Sequence, residues 1–94
     1  MIRSFADKHT EALFQERRTR KFPSDILPRG LENLRLIDAA VLLEDLRVPP
    51  GNRLEALKGD RLGQHSIRIN RSWRICFEWR DGDAHNVEVN NHYG

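Results

Sequence analysis

The segment Gly63–Trp79, GQHSIRINRSWRICFEW, carries the clearest structural pattern in the chain. Apolar and polar residues alternate in two runs, 65–69 and 73–79, on either side of a polar break at 70–72. Alternation with a period of two is typical of half-buried β-strands. The segment therefore predicts an antiparallel β-hairpin with one face toward a core.

The two strands of this hairpin must turn their apolar sides toward the same core, which restricts how they pair. A three-residue loop at 70–72 sets Ile67 opposite Ile75, whereas a two-residue loop would turn one strand over. The same register sets Arg68 opposite Arg74 on the polar face. Like charges directly opposite each other are destabilising, so a bound anion would relieve the repulsion. The alternative is that both arginines are simply solvated.

A second hairpin is predicted after this segment, where Asp81-Gly82-Asp83 interrupts the pattern. The requirement for a common apolar face again favours a three-residue loop. That loop pairs Phe77 with Val87 and Ile75 with Val89.

The N-terminal half of the chain is predicted to form two helices. Asp7 or Thr10 is placed to cap a first helix that runs to about Arg18. Pro28 suits the first turn of a second helix. This second helix is expected to extend to about Arg47, because apolar residues recur at helical spacing and form a broad stripe along one side. The stripe consists of Leu31, Leu34, Ile37, Val41, Leu42 and Leu46.

Two further strands complete the predicted order of elements. Ile2–Phe5 precedes the helices, and Arg53–Leu57 follows the turn formed by Pro49-Pro50-Gly51. The resulting order is a strand, two helices and an antiparallel meander. It predicts an α+β fold in a single domain spanning residues 1–94, with the N-terminal helices packed on an antiparallel sheet.

Composition is that of a small soluble protein and excludes several classes of site. The 94 residues are 38% hydrophobic and 32% charged, which is enough for one core. The single cysteine allows no intrachain disulfide and no site of several cysteines. No apolar run suits a membrane span or signal peptide, so a cytoplasmic location without membrane contact is expected. No cluster or motif indicates a metal or a cofactor, and none is expected.

Positive charge is concentrated in one part of the chain. Residues 51–74 contain six lysine or arginine residues against two carboxylates, for a net charge of +4, while residues 75–94 have a net charge of −3. A basic segment on a sheet face suits a polyanion, and a solvated face is the alternative. A separate basic run, RRTRK at 17–21, is expected to be a solvated helix end rather than a nucleic-acid contact. The candidate polyanion-binding cations of the main segment are Lys58, Arg61, Arg68 and Arg71.

Three segments carry a resemblance to a known family: LIDAA at 36–40, EDLRVPPGNRLEALKGDRLGQ at 44–64 and HSIRINRSWRICFEW at 65–79. Over nearly its whole length the chain resembles the HigB-type toxins of the RelE/ParE superfamily of bacterial toxin–antitoxin systems. The resemblance implies a compact RelE/ParE-like, microbial-ribonuclease-like fold with a curved sheet.

The resemblance also implies an activity and its partners. Such a toxin is a ribosome-dependent mRNA endonuclease, acting on mRNA in the ribosomal A site. It is neutralised by a HigA-like helix-turn-helix antitoxin, through which alone it would reach operator DNA. The implied reaction is attack of a ribose 2′-hydroxyl on the neighbouring phosphodiester. It needs a proton acceptor, a proton donor and cations on the phosphate oxygens, but no metal, because the nucleophile is already tethered beside the phosphorus.

The basic positions of the family motif have direct counterparts in this chain. Arg74, in the WRI motif, matches the family's phosphate-binding arginine. Arg68, in SIRIN, matches its second basic position. Glu55 stands where family members carry a histidine before the KG turn, and it could act as the base or be an ordinary strand glutamate.

The C-terminal tail departs from the family pattern. Family members end in Asp-Tyr-His, whereas this chain reads Asn91-His92-Tyr93. The asparagine replaces the aspartate as a candidate RNA contact, and the other two residues are exchanged. His92 titrates near neutrality and could act as acid or base, while Tyr93 could stack on a base or donate a proton.

Two other functions stay open because the same fold supports different activities. One is a ParE-like toxin that binds DNA gyrase and cleaves nothing. The other is an inactive member that only binds its antitoxin.

Overall fold

The computed structural model describes residues 1–91 as two helices packed on a four-stranded antiparallel sheet. The helices are α1 (Lys8–Phe14) and α2 (Leu27–Ala39), and the strands are β1 (Glu55–Ala56), β2 (Gln64–Arg68), β3 (Trp73–Arg80) and β4 (Asp83–Asn91). Short 3-10 helices lie at Ser24–Ile26, Leu43–Arg47, Pro50–Asn52 and Gly59–Arg61. The strands lie in chain order across the sheet, so the predicted α+β fold is confirmed. Across residues 1–91, neither helix is long and apolar enough to cross a membrane.

The central hairpin has the register that the sequence pattern predicted. Ile67 pairs with Ile75 and Arg68 with Arg74 across β2 and β3. In the loop, the side-chain oxygen of Asn70 accepts the backbone N–H groups of residues 72 and 73, at 2.8 and 2.9 Å. An asparagine at this position thus supplies the acceptor that closes the three-residue loop.

The loop of the second hairpin has two residues, so the prediction of a three-residue loop is wrong. Arg80 pairs with Asp83, and only Asp81 and Gly82 lie between them, with φ of +51° and +80°. Two consecutive left-handed residues of the Asp-Gly type form the tight turn that best matches the twist of a hairpin.

A β-bulge in β4 restores the common apolar face that the short loop would otherwise reverse. The register shifts opposite Phe77, where Asn86 takes a left-handed φ of +53° and adds one residue to β4. Beyond the bulge the predicted pair of Ile75 and Val89 is confirmed. The predicted pairing of Phe77 with Val87 is wrong because it falls at the bulge.

The first helix begins where predicted but is shorter. The carboxylate of Asp7 accepts the backbone N–H of Thr10 at 2.7 Å, which identifies Asp7 as the cap. The helix ends at Phe14 rather than near Arg18, because Glu16 adopts a left-handed φ of +58° and turns the chain.

The second helix is also shorter than predicted, although Pro28 lies in its first turn as expected. It ends at Ala39 because Asp45 accepts the backbone N–H groups of Val41 and Leu42, each at 2.9 Å, and so begins a separate 3-10 turn. These two backbone hydrogen bonds hold the pKa of Asp45 below its ordinary value. Val41 and Leu42 are therefore 73% and 63% exposed, not part of the predicted apolar stripe.

The two remaining predicted strands are present in reduced form. The N-terminal segment makes only isolated parallel bridges to β4, at Ile2 and Phe5. The predicted strand Arg53–Leu57 is limited to β1, Glu55–Ala56, and Arg53 before it has a left-handed φ of +47°.

The core lies between the helices and one face of the sheet. Thr10 and Asn33 connect the two layers through hydrogen bonds: the Thr10 hydroxyl accepts the N–H of Val89 at 3.0 Å, and Asn33 donates to the carbonyl of Arg68 at 3.0 Å. The fully buried apolar residues at the centre are Leu34, Ile37, Ile67, Ile75, Phe77 and Val87. The opposite face of the sheet carries the polar residues.

Candidate functional site

Arg74 is the centre of the polar face. Its side chain is only 14% exposed. Its Nη1 atom donates to the carboxylate of Glu55 on β1 and, at 2.9 Å, to the hydroxyl of Ser66 on β2. Ser66 is completely buried. The guanidinium is therefore held in one position by one group on β1 and one on β2.

Arg74 lines a cleft of about 240 Å³ together with two other cations, Lys58 and Arg61. Asp60 is the carboxylate among the described residues lining this cleft. Three cations around one small cleft make it attractive to an anion. Other lining residues are Leu57, Cys76 and Asn90.

Arg61 is oriented by two acceptors, one on β2 and one on β4. Its Nη1 donates to Gln64 at 2.9 Å and its Nη2 to the carboxylate of Glu88 at 3.1 Å. Both residues of the ion pair are about one-third exposed, at 33% and 30%. Arg61 is thus a second fixed cation beside Arg74, whereas Lys58 is exposed.

Cys76 lies at the base of the same cleft and is 1% exposed. Burial raises the pKa of its thiol above the ordinary value. A protonated, buried thiol is a poor nucleophile, so Cys76 fills space beneath the cations.

The structure brings together only part of the predicted site. Glu55, Lys58, Arg61 and Arg74 lie at or next to the cleft. Arg68 is opposite Arg74 in the register, but its Nε donates to the carbonyl of residue 70 at 2.9 Å.

Neither Arg68 nor the exposed Arg71 is among the described residues that line the cleft. The sequence predicted that a bound anion would relieve the repulsion between Arg68 and Arg74. The carboxylate of Glu55, within the chain itself, pairs with Arg74 and supplies this negative charge.

The predicted tail residues are only partly within the described structure. Asn91 ends β4 opposite Trp73 and lines a neighbouring cleft. His92 and Tyr93 lie outside the described residues.

Three residues of the site were not identified from the sequence: Ser66, Gln64 and Glu88. All three occupy the polar positions of the strand alternation, on the same face as Arg74. Ser66 is two residues from Arg68 on β2 and so is a diagonal neighbour of Arg74 across the strands. The period-two pattern contained this signal, but a serine next to two arginines is not distinctive by itself.

Metal-binding residues are not clustered in the part of the chain that is described. Within residues 1–91, no group of three or more His, Cys, Asp or Glu side chains is placed to hold a metal ion.

The fold and the site together define a class of protein. A fixed, desolvated arginine with a carboxylate beside it, in a basic cleft on an antiparallel sheet, suits recognition of a phosphodiester. The family model described as "RelE-like toxin of type II toxin-antitoxin system HigB" matches residues 3–92. The chain belongs to this family of HigB-type toxins, and the resemblance seen in its sequence is confirmed.

Individual relatives agree over the full length. The chain is 41% identical over 93 residues to Toxin HigB-1 of Vibrio cholerae serotype O1, with 98% of each chain covered. It is 33% identical over 93 residues to Endoribonuclease HigB of Proteus vulgaris, covering 99% of this chain and 100% of the relative. Among solved structures, the YoeB-YefM complex from Staphylococcus aureus matches with a TM-score of 0.61 and 22% identity, covering 99% of both chains. This last likeness shows the RelE-like fold.

Proposed function

We propose that this HigB-type toxin, acting as a single domain of residues 1–94, is a metal-independent endoribonuclease that cleaves mRNA in the ribosomal A site. The observation that carries the proposal is the contact of Glu55 with Arg74, which lines a basic cleft. The name of the Proteus vulgaris relative, Endoribonuclease HigB, supports the same reaction.

Arg74 is the proposed phosphate-binding and transition-state-stabilising residue. Its planar set of donors matches the two non-bridging oxygens of a phosphodiester. Ser66 and Glu55 already hold the guanidinium in place, so little reorganisation is needed as negative charge develops on the phosphate. Lys58 and Arg61 add positive charge on the same side of the cleft.

Glu55 is the proposed general base. Its carboxylate is 51% exposed and touches the guanidinium of Arg74. The 2′-hydroxyl and the phosphorus are neighbours in RNA, so a base next to the phosphate-binding group is placed to remove the 2′ proton. The leaving 5′ oxygen then requires a proton from a different residue.

His92 is the proposed general acid, with Tyr93 as a base-stacking residue or second proton donor. His92 directly follows Asn91, which closes β4 one residue beyond Asn90, the register partner of Arg74. An imidazole is suited to this step because its pKa lies near neutral pH. Asn91, Arg68 and Arg71 are proposed to contact flanking parts of the RNA rather than the scissile phosphate.

Alignment of the substrate is proposed to come largely from the ribosome, because one carboxylate and one histidine are a small acid–base set. We also propose a HigA-like helix-turn-helix antitoxin as the partner that neutralises the toxin in the cytoplasm and brings it to operator DNA. The family's toxin–antitoxin description and the toxin–antitoxin complex among the structural neighbours support such a partner.

Mapping of mRNA ends tests this function. Primer extension after brief expression is expected to show new cleavage sites within translated messages for the wild type and none for Arg74→Ala. Purified protein that has been treated with EDTA and then freed of the chelator is expected to cut ribosome-bound mRNA, and to cut free RNA weakly or not at all. Intact mRNA together with inhibition of gyrase supercoiling would instead establish the ParE-like alternative.

A further inference from the structure

The basic segment 17–21, RRTRK, is not the end of a helix, because α1 already ends at Phe14. It forms a loop that is held against α1. The Nδ1 atom of His9 lies 3.3 Å from the hydroxyl oxygen of Thr19, and that oxygen also accepts the backbone N–H of Lys21 at 3.3 Å. The arginines of the segment are therefore presented from a fixed loop.

This loop lines a cleft of about 370 Å³ on the surface of α1. Lys8, Arg17, Arg18 and Arg20 contribute four positive charges to its lining. Of the described residues that line it, none is acidic. A cleft with this charge attracts an extended anion.

A third cleft, of about 250 Å³, connects the basic loop to the proposed catalytic cleft. His9 lines both this cleft and the one under the basic loop. Asn90 lines both this cleft and the one that contains Arg74. The connecting cleft therefore shares a lining residue with each of the other two clefts.

The connecting cleft has the features of a single-strand binding groove. Trp73 lines it, half-buried, with the ring of Phe22 packed edge-on at a centroid distance of 5.7 Å. Lys21 also lines it. Single-stranded RNA binds where cations follow the backbone and aromatic rings offer surfaces for stacking.

Two carboxylates border the connecting cleft, but each is occupied. Asp7 caps α1 by accepting the backbone N–H and the hydroxyl of Thr10. Glu88 is paired with Arg61. The charge of Glu88 is therefore balanced by Arg61, whereas Asp7 keeps its negative charge and directs both carboxylate oxygens to Thr10.

We propose that the RNA strand flanking the scissile phosphate runs from the Arg74 cleft past Asn90 and Trp73 and binds through its phosphates to the Arg17–Lys21 loop. This path rests on the proposed RNA-cleaving function. On this path, the Arg17–Lys21 loop binds phosphates away from the scissile one, on the same RNA strand as the cleaved codon.

The test compares two non-cleavable oligonucleotides that carry a 2′-O-methyl group at the scissile position. One of about three nucleotides fills only the Arg74 cleft, and one of about twelve also reaches the loop, within the range of single-strand sites. The variant Arg18→Ala/Arg20→Ala is matched with Arg47→Ala/Arg80→Ala. Both remove two exposed arginines, and the control arginines form ion pairs with Glu44 and Glu78.

The wild type is expected to bind the longer oligonucleotide more tightly than the shorter one. In the loop variant this gain is lost, and the log–log salt slope falls by about 1.4, because each phosphate contact on a single strand contributes about 0.7. The control variant keeps the tighter binding of the longer oligonucleotide and the wild-type salt slope. All three proteins bind the short oligonucleotide equally.

Equal affinity of the loop variant and the wild type for the longer oligonucleotide would overturn the path. Equally strong binding of the additional nucleotides when they are supplied as a separate strand would also overturn it. The path would fail as well if the loop variant lost antitoxin binding while its RNA binding was unchanged. If the short oligonucleotide bound without any dependence on Arg74, the proposed function itself would fail, which is a different result.

Discussion

Arg74 on β3 reaches across β2 to contact Glu55 on β1, and the buried hydroxyl of Ser66 on the intervening strand holds its guanidinium in place. The contact joins residues of two strands that are not neighbours in the sheet. It exists only when all three strands are paired. The proposed base and the proposed phosphate-binding group are thereby kept next to each other before RNA binds.

Substitution of Glu55 by glutamine tests its role as the base. Glutamine keeps the size and the acceptor toward Arg74 but cannot take the 2′ proton at neutral pH. We expect the rate of ribosome-dependent mRNA cleavage to fall by about 10²- to 10⁴-fold, the usual contribution of a general base. RNA binding should be unchanged or tighter, since a negative charge is removed.

Glu78→Gln is the matched control for Glu55→Gln. Glu78 is a half-buried glutamate of β3 whose carboxylate contacts Asn86 and Arg80. Its substitution should leave the rate unchanged. Full activity of Glu55→Gln in a single-turnover assay would show that Glu55 is not the general base.

His92→Ala tests the tail. Loss of the general acid is expected to lower the cleavage rate by about 10²- to 10⁴-fold and to leave the melting temperature unchanged. His85→Ala, in a half-buried histidine at the other end of β4, is the control. An active His92→Ala protein together with an inactive Tyr93→Phe protein would show that Tyr93, not His92, is the general acid.

Thr10→Val tests how α1 is fixed to β4. The buried hydroxyl of Thr10 accepts the N–H of Val89 and donates to Asp7, each at 3.0 Å. Valine has nearly the same shape but leaves the buried N–H unsatisfied, which should lower the free energy of unfolding by about 1–3 kcal/mol. Urea denaturation measures this difference. Thr10→Ser, which keeps the hydroxyl, should lose less, and equal stability of all three proteins would show that the hydrogen bonds contribute nothing.

Asp45→Ala is expected to show a pH-dependent loss of stability. The pKa of Asp45 lies below its ordinary value of 3.8, because the carboxylate accepts the N–H groups of Leu42 and Val41. A lowered pKa in the folded state means that the ionised carboxylate stabilises the fold above pH 3.8, and that this contribution disappears as the pH falls through the lowered pKa.

The melting temperature of Asp45→Ala should therefore be below that of the wild type at neutral pH, and the two should converge in acid. Asp25→Ala, at an exposed aspartate, serves as the control. A difference that stays constant from neutral pH into acid would show that the carboxylate charge is not responsible.

Hairpin register could be predicted from the sequence because alternation constrains it strongly. A shift of one residue would turn the apolar side of a strand to solvent, and Ile67 does pair with Ile75. In the second hairpin the same reasoning gave the correct pair, Ile75 and Val89, with the wrong loop. The Asp-Gly turn has one residue fewer than predicted, and the bulge at Asn86 adds one residue to β4. Because the two changes cancel, the alternation of apolar residues is the same with or without them and could not reveal them.

Helix ends and site contacts could not be predicted in the same way. The end of α2 depends on which backbone groups Asp45 binds, and that choice competes with continuation of the helix. Glu55 and Arg74 could each be proposed from the family motifs. Their contact could not, because the two residues lie 19 positions apart in the chain and meet only through the order of the strands in the sheet.

The most direct test of the account is the rate of ribosome-dependent mRNA cleavage by Arg74→Ala and Arg74→Lys. We predict a loss of about 10²- to 10³-fold for alanine, the cost of one preorganised electrostatic donor. Lysine should restore only part of the rate, because it supplies the charge without the two-point geometry. Both variants should still fold and bind the antitoxin. The alanine variant leaves the buried Ser66 hydroxyl without this donor, which should lower the free energy of unfolding by about 1–3 kcal/mol. An Arg74→Ala protein that is folded and cleaves ribosome-bound mRNA at the wild-type rate would contradict the proposed site.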